Sequence, residues 1–281
     1  MTTLQALLLA ILQGVTELFP VSSLGHAVIV PRLLHWTLDE HGLTFLPFLV
    51  MLHVGTAVAL LLFFWRDWLA LARGAVGAAD ALHVSESRHI LGLIIIATIP
   101  AVIIGYIFES LLRTLFGTPE IAACFLVVNG LVLMTADRLR ARLPEDTDRP
   151  IASLTMIDAI VIGLWQCTAF LPGISRSGAT MTGGLLRGIN HQTAARFSFL
   201  IALPVIVAAT ASQLLKLHHA HMGLGALRPA ILGAVVAAVA AWLSTAFLMR
   251  YFREHEAWAL RPFALYSIGA GVFSLVAFYF L

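Results

Sequence analysis

Apolar residues in this chain run in stretches long enough to cross a lipid bilayer. A transmembrane helix needs about 20 predominantly apolar residues. Six stretches meet that length: 45–65, 88–109, 119–138, 193–215, 228–250 and 261–281. The hydropathy pattern therefore predicts six transmembrane helices.

Two further apolar stretches, 4–35 and 153–190, are interrupted near their middle. Pro20 breaks the first, and Pro172 with Gly173 breaks the second. Irregular backbone survives at membrane depth only where it is buried in protein or lines a water-filled cavity. Each stretch is therefore predicted to be a re-entrant helical hairpin, which enters and leaves the membrane on the same side.

The composition agrees with a protein that has lipid as its main solvent. Hydrophobic residues make up 60% of the chain and charged residues 11%, whereas soluble domains carry about 25% charged residues. The fold class predicted is an all-α polytopic membrane protein. Because the basic residues are spread along the chain rather than gathered on one face, no nucleic-acid partner is expected.

The positive charges predict the orientation. Ten arginines lie in the loops 66–88, 136–155 and 249–262, against three basic residues in the loops 110–119 and 216–228. Cytoplasmic loops carry the excess of basic residues, so the first set is expected in the cytoplasm. With six crossings, both termini then lie on the outer side.

The chain also contains a weak internal repeat. A shift of 153 residues aligns four pairs: Gln13 with Gln166, Leu18 with Leu171, Ser22 with Ser175, and Gly25 with Gly178. We interpret 1–142 as a first repeat, 143–152 as a cytoplasmic linker and 153–281 as a second repeat. Three spans per repeat is an odd number, so the halves are inserted in opposite directions. The tips of the two hairpins are then expected to meet.

The first break carries the polar side chains Gln13, Glu17, Ser22, Ser23 and His26. An ionisable residue at membrane depth is costly and indicates a functional site. Glu17 is suited to hold a divalent cation or accept a proton, and Gln13 shares its helix face. Ser22 and Ser23 stand where a second helix would begin, which suits anion binding, simple N-capping, or both.

The second break holds three hydroxyls, one arginine and two glycines: Ser175, Arg176, Ser177, Thr180, Gly173 and Gly178. A guanidinium presents a planar fork of donors that matches phosphate oxygens, and glycine lets the backbone approach a ligand closely. The set predicts a phosphate cradle, with a polar hinge that only packs the hairpin as the alternative. Arg176 is the predicted partner of Glu17.

Three motifs resemble those of the undecaprenyl-diphosphate phosphatase family of the bacitracin-resistance type: Gln13-x-x-x-Glu17, Pro20-Val-Ser-Ser-x-Gly-His26 and Pro172-Gly-x-Ser-Arg-Ser-x-x-Thr180. The resemblance implies a multi-pass enzyme of the bacterial inner membrane with its active site facing the periplasm. It would remove the terminal phosphate of undecaprenyl diphosphate with the help of a divalent cation, Mg²⁺ or Ca²⁺, and so recycle a cell-wall lipid carrier.

The resemblance also suggests a role for each motif residue. The expected catalytic residues are Glu17, Ser23, His26 and Arg176. The expected substrate-binding residues are Ser22, Gly25, Gly173, Ser175, Ser177, Gly178 and Thr180. The expected metal ligands are Glu17 and Gln13, although many family members have glutamate where this chain has Gln13.

A second function fits the same pattern. Inverted repeats with broken helices are also a transporter architecture, so the protein is alternatively a transporter or flippase of an anionic polyprenyl phosphate lipid. Phosphate release in detergent, where transport cannot occur, separates the two. The sequence leaves the oligomeric state open, a homodimer included.

Overall fold

The computed structural model describes residues 1–36, 45–108, 118–142, 149–218 and 224–280, without the side chains at 45–47, 212–218 and 224–227. Most of the predicted linker 143–152 and of the predicted outer loop 110–119 therefore lies outside the described residues, as do residues 219–223 of the predicted outer loop 216–228.

Every regular element in the described part of the chain is helical. The α-helices are α1 Thr3–Thr16, α2 Ser23–Leu33, α3 Phe45–Phe63, α4 Trp65–Ala75, α5 Ala81–Ile107, α6 Pro119–Arg140, α7 Met156–Cys167, α8 Arg176–Leu186, α9 His191–His218, α10 Leu224–Glu254 and α11 Arg261–Phe280. Short 3-10 helices cover Ile151–Ser153 and Thr168–Phe170.

Five helices in the described residues are long and apolar enough to cross a membrane. They are α5, α6, α9, α10 and α11. A sixth candidate is formed by α3 and α4 together, which are bent by 73° where they meet. The chain is thus an all-helical membrane protein with five or six candidate spans.

The predicted span 45–65 ends earlier than its hydropathy suggests. Its helix stops at Phe63, and the chain turns into α4, which buries Leu71 while Trp65 and Leu69 stay exposed. Arg66 and Asp67 stand at the bend, where the apolar stretch ends. An amphipathic helix of this kind is stable when it lies along the membrane interface.

The two stretches broken by proline and glycine form helix–break–helix elements. Their four helices have 14, 11, 12 and 11 residues. At 1.5 Å per residue the longest reaches about 21 Å, which is short of the roughly 30 Å hydrocarbon core. Each arm on its own is therefore too short to cross the hydrocarbon core.

The two halves of the chain are packed against one another by an exchange of helices. The first arm of the first break, α1, packs on α10, and the first arm of the second break, α7, packs on α5. Glycine allows the two helices of each pair to pack closely. A Cβ on Gly14 would lie 2.4 Å from the carbonyl oxygen of Ala237, and one on Gly163 would lie 2.6 Å from that of Ala97.

Charged residues pair at the end of the molecule predicted to be cytoplasmic. The buried carboxylate of Asp158 accepts hydrogen bonds from Arg149 and Arg187. Asp67, at the start of α4, pairs with Arg196 of α9. The pair of Asp67 with Arg196 joins the two halves of the chain, whereas Asp158 and its partners lie in the linker and the second half.

The close contact between α7 and α5 generates a test of stability. We expect Gly163→Ala to destabilise the protein by about 1–3 kcal/mol, because the new methyl group overpacks a backbone contact. The readout is the thermal unfolding midpoint in detergent.

Gly92→Ala on α5 is the matched control, since a Cβ at Gly92 has no described neighbour within 4 Å. Alanine is a better helix former than glycine by about 0.5–1 kcal/mol, so this variant should be neutral or slightly stabilised. Equal midpoints for the two variants would show that the α5–α7 contact is looser than described.

Candidate active site

The first break is shaped by Ser22, which has a left-handed backbone conformation with φ 67°. Such a conformation costs a non-glycine residue about 1–3 kcal/mol. Two hydrogen bonds stabilise it. The Ser22 hydroxyl accepts from Gly25 N at 3.2 Å and caps α2, and the ring Nδ1 of His26 donates to the Ser22 carbonyl at 2.7 Å. The serine predicted as either a cap or an anion ligand is thus observed as a cap.

The second break has a similar design. Gly173 adopts φ +100°, and a Cβ there would lie 2.2 Å from the carbonyl oxygen of Ala122, so only glycine fits. Ser175 caps α8 by accepting from Gly178 N at 3.2 Å. The helix that follows begins with Arg176, which places the guanidinium at the positive end of the α8 dipole.

The two breaks are in direct contact. A Cβ on Gly25 would lie 3.1 Å from the Cα of Gly173. The hydroxyl of Ser177 donates to the carbonyl of Phe19 at 3.0 Å. These contacts are consistent with the prediction that the two broken segments meet. The glycines in both motifs allow the two backbones to approach each other closely.

Asn129 of α6 joins the breaks and is absent from the predicted site. Its side-chain NH₂ donates to the carbonyl of Pro20 at 2.9 Å, and its Oδ1 accepts from the backbone N–H of Ser175 at 2.9 Å. Asn129 is buried, so each side of its amide satisfies a backbone group that water does not reach. The signal available in the sequence was a single amide inside an otherwise apolar span.

Glu17 is the centre of the site. It caps the C-terminus of α1 and is buried. Its Oε2 accepts from the hydroxyl of Ser23 at 2.6 Å and from the amide of Gln13 at 3.1 Å, and its Oε1 accepts from Arg176 at 3.4 Å. The short bond from Ser23 is in the range typical of a hydroxyl that donates to a carboxylate.

Arg176 makes only long hydrogen bonds. Its two terminal nitrogens reach Glu17 and the carbonyl of Ser198 at 3.4 Å each. Its buried Nε has no hydrogen-bond partner among the described residues. The guanidinium therefore neutralises Glu17 but keeps much of its donor capacity for an anion.

The ring of His26 has no hydrogen bond to Ser23 or Glu17 among the described residues. Nδ1 donates to the Ser22 carbonyl, so Nε2 of a neutral ring accepts, and the hydroxyl of Tyr266 lies 2.9 Å from it. The two rings are also stacked, with centroids 5.7 Å apart. Tyr266 of α11 was missed by the sequence reasoning, because nothing in its surroundings marks it as different from an interfacial aromatic residue.

His53 of α3 was also missed. A histidine by itself in an apolar span suggests a hydrogen-bonded core residue, and its Nδ1 does bond to the carbonyl of Leu49 at 2.9 Å. Its other nitrogen, however, lies 3.9 Å from Glu17 Oε2, and the side chain is 37% exposed. The ring is therefore partly exposed while one of its nitrogens lies near the buried carboxylate.

The remaining predicted substrate ligands are occupied in building the breaks. Besides the two capping serines, Thr180 uses its hydroxyl on Ser198 at 2.6 Å and on the carbonyl of Arg176 at 2.9 Å. Glu17, Ser23 and Arg176 are the predicted residues whose functional groups converge on one point.

The donor set does not fit a resident divalent cation. Glu17 is the single carboxylate at the site among the described residues, and Gln13 turns its NH₂ rather than its oxygen toward it. No group of three or more His, Cys, Asp or Glu side chains suited to a metal exists in the described part of the chain. Ca²⁺ takes six to eight oxygen ligands and Mg²⁺ an octahedron.

Comparison with known proteins identifies the family. The family model for the bacitracin resistance protein BacA matches residues 6–273. The chain belongs to this family. Its relatives include proteins named undecaprenyl-diphosphatase from Granulibacter bethesdensis, 55% identical over 289 residues, and from Gluconacetobacter diazotrophicus, 59% identical over 274 residues. The first alignment covers 100% of this chain and 98% of the relative, and the second covers 98% and 96%.

The bridge made by Asn129 generates a prediction. Asn129→Leu keeps the approximate size of the side chain but leaves the buried carbonyl of Pro20 and the buried N–H of Ser175 without partners. Each unsatisfied group costs about 1–3 kcal/mol of stability. We expect a loss of about 2–5 kcal/mol in stability and a matching loss of activity, measured by thermal unfolding and by phosphate release in detergent.

Thr135→Val on the same helix is the control, because Thr135 is exposed and bonds only within its own helix, to Leu131. If Asn129→Leu behaved like this control in both measurements, the amide would not be what joins the two breaks.

Proposed function

We propose that this protein is an undecaprenyl-diphosphatase, which hydrolyses undecaprenyl diphosphate to undecaprenyl phosphate and inorganic phosphate. Membership of the family supports the activity. The observation that carries the chemistry is the convergence of Ser23, Glu17 and Arg176, with the Ser23 hydroxyl 2.6 Å and the Arg176 guanidinium 3.4 Å from one carboxylate.

The site offers an anion two kinds of positive potential. Helices α2 and α8 both begin here, at Ser23 and Arg176, and helix N-termini favour anions. Arg176 adds a full charge, and its long bonds are easily exchanged for shorter, charge-assisted bonds to phosphate oxygens. A terminal phosphate that binds Arg176 would lie next to the hydroxyl of Ser23.

The chemical step follows from the hydrogen bond between Ser23 and Glu17. Oγ of Ser23 attacks the terminal phosphorus as its proton passes to Oε2 of Glu17. The phosphorus–oxygen bond to the prenyl phosphate breaks, and that leaving group takes the proton from Glu17. Water then attacks the phosphoserine as Glu17 again accepts a proton, the phosphorus–oxygen bond to Ser23 breaks, and Oγ of Ser23 takes that proton from Glu17 as inorganic phosphate is released. Arg176 stabilises the charge on the phosphoryl oxygens in both steps.

His26 has a positioning role in this proposal. Its bond to the Ser22 carbonyl supports the left-handed turn that precedes Ser23, and Tyr266 supports the ring from the other side. Glu17 is assigned the proton transfer because it is the group within hydrogen-bond distance of the nucleophile.

The membrane arrangement proposed has six spans, two re-entrant hairpins and an inverted repeat. Its support is the reciprocal packing of α1 on α10 and α7 on α5. We further propose that the protein lies in the bacterial inner membrane with the site open to the periplasm. The excess of arginine in the opposite loops supports that orientation.

Transport of the lipid is the rival function, favoured by the way the two halves contribute one broken helix each to a central site. The two functions differ in detergent solution. Release of inorganic phosphate from a prenyl diphosphate by the purified protein supports the enzyme, whereas binding without release would support a carrier.

We expect Ser23→Ala to lower kcat for phosphate release by at least about 1,000-fold, because the nucleophile is removed. Acid quenching of wild-type protein with substrate labelled in the terminal phosphate should trap label on Ser23. Ser274→Ala is the control, since that serine bonds only within α11, to Ala270. Retained activity in Ser23→Ala, with no label trapped on the wild type, would contradict the covalent route.

We expect Arg176→Ala to lower kcat by about 100- to 1,000-fold, the usual loss when one group that stabilises developing charge is removed. Arg250→Ala is the matched control, because Arg250 is exposed and pairs with Glu254 on its own helix. Equal turnover in the two variants would remove Arg176 from the reaction.

A further inference from the structure

We propose that this protein holds no divalent cation of its own, and that a cation used in the reaction enters bound to the diphosphate of the substrate. The inference rests on the proposed function for the identity of that substrate, but its evidence is the arrangement of donors around Glu17.

The charge balance at the site disfavours a resident cation. Glu17 is paired with Arg176 at 3.4 Å, so the pair has no net charge. Mg²⁺ and Ca²⁺ are hard cations that bind clusters of anionic and neutral oxygens. A cation placed beside Glu17 would also lie beside the guanidinium, and repulsion from Arg176 would offset the attraction of the carboxylate.

The acceptor positions of the Glu17 carboxylate are mostly occupied. An ionised carboxylate offers about four acceptor positions. Three are taken by donors from Ser23, Gln13 and Arg176. One position on Oε1 stays free, so Glu17 offers a cation a single monodentate contact unless it gives up the donor from Ser23, Gln13 or Arg176.

Gln13 is oriented as a donor to Glu17. Its amide nitrogen lies 3.1 Å from Glu17 Oε2. The reversed amide would put two oxygens at that distance with no proton between them, so Glu17 itself dictates the orientation. Gln13 consequently acts on Glu17 as a donor. A glutamate at this position would instead put two carboxylates side by side, which favours a bound cation or a shared proton.

His53 is the remaining neighbour, with Nε2 3.9 Å from Glu17 Oε2. It supplies a nitrogen, which Mg²⁺ and Ca²⁺ do not favour as a ligand. The protein thus provides at most one anionic oxygen ligand among the described residues, whereas a diphosphate provides several oxygens on a flexible chelating group. Mg²⁺ in particular is commonly bound through one or two carboxylates together with substrate phosphates.

Equilibrium dialysis of radioactive Ca²⁺ against the purified full-length protein in detergent tests the proposal, with methylene diphosphonate as a diphosphate that cannot be hydrolysed. We expect no site with a Kd below about 1 mM on the wild type alone, and about one Ca²⁺ per protein when diphosphonate is present. Arg176→Ala should lose the diphosphonate-dependent Ca²⁺, because it loses the anion. Gln13→Glu should bind Ca²⁺ without diphosphonate, at least tenfold more tightly than the wild type.

Two results would overturn the proposal. One is a stoichiometric Ca²⁺ site on the wild type alone that disappears in Glu17→Gln. The other is the absence of Ca²⁺ from the complex of wild type with diphosphonate. Neither depends on turnover, so the proposal can fail while phosphate release, and with it the proposed function, stands.

Discussion

A carboxylate buried in a membrane protein must be neutralised by another part of the same molecule, and here Arg176 does so for Glu17 across 159 positions of the chain. Neither charge is stable at this depth alone, because removing one partner of a buried pair leaves an uncompensated charge. The pair therefore ties the two breaks together, and the rest of the structure serves to bring the breaks into contact.

This constraint explains several contacts between the two breaks. Gly25 and Gly173 let the two backbones touch, and Asn129 donates a hydrogen bond to the first break and accepts one from the second. Each solves the same difficulty, since irregular backbone in lipid needs its partners inside the protein. The fold thus keeps a serine, a carboxylate and an arginine together where the two breaks meet.

The residue types and their spacing predicted much of this arrangement. Interrupted apolar stretches gave two helix–break–helix elements, and the cost of charge in lipid indicated that Glu17 would need Arg176. Positions that depend on distant packing were not accessible. Asn129, His53 and Tyr266 carry no motif, and their roles follow from which helix faces the breaks. The turn at Phe64 was also missed, because hydropathy measures how apolar a stretch is and not where its direction changes.

The structure adds contacts to the sequence interpretation of the hydroxyl groups in the two breaks. The hydroxyls of Ser22, Ser175 and Thr180 are predicted phosphate ligands, and in the structure they bond to backbone or neighbouring groups. Capping and anion binding use the same residue types at the same helix position, so spacing alone does not separate them. What distinguishes Ser23 is the carboxylate beside it.

The dependence of the two breaks on one another is tested most directly by a double-mutant cycle on the buried pair, with Glu17→Gln, Arg176→Gln and both together, read as thermal stability in detergent. Each single variant should lose about 3–5 kcal/mol because it strands a charge, and the double variant should lose clearly less than the sum of the two. Strictly additive losses would mean that the two side chains do not sense each other, and would contradict a shared site.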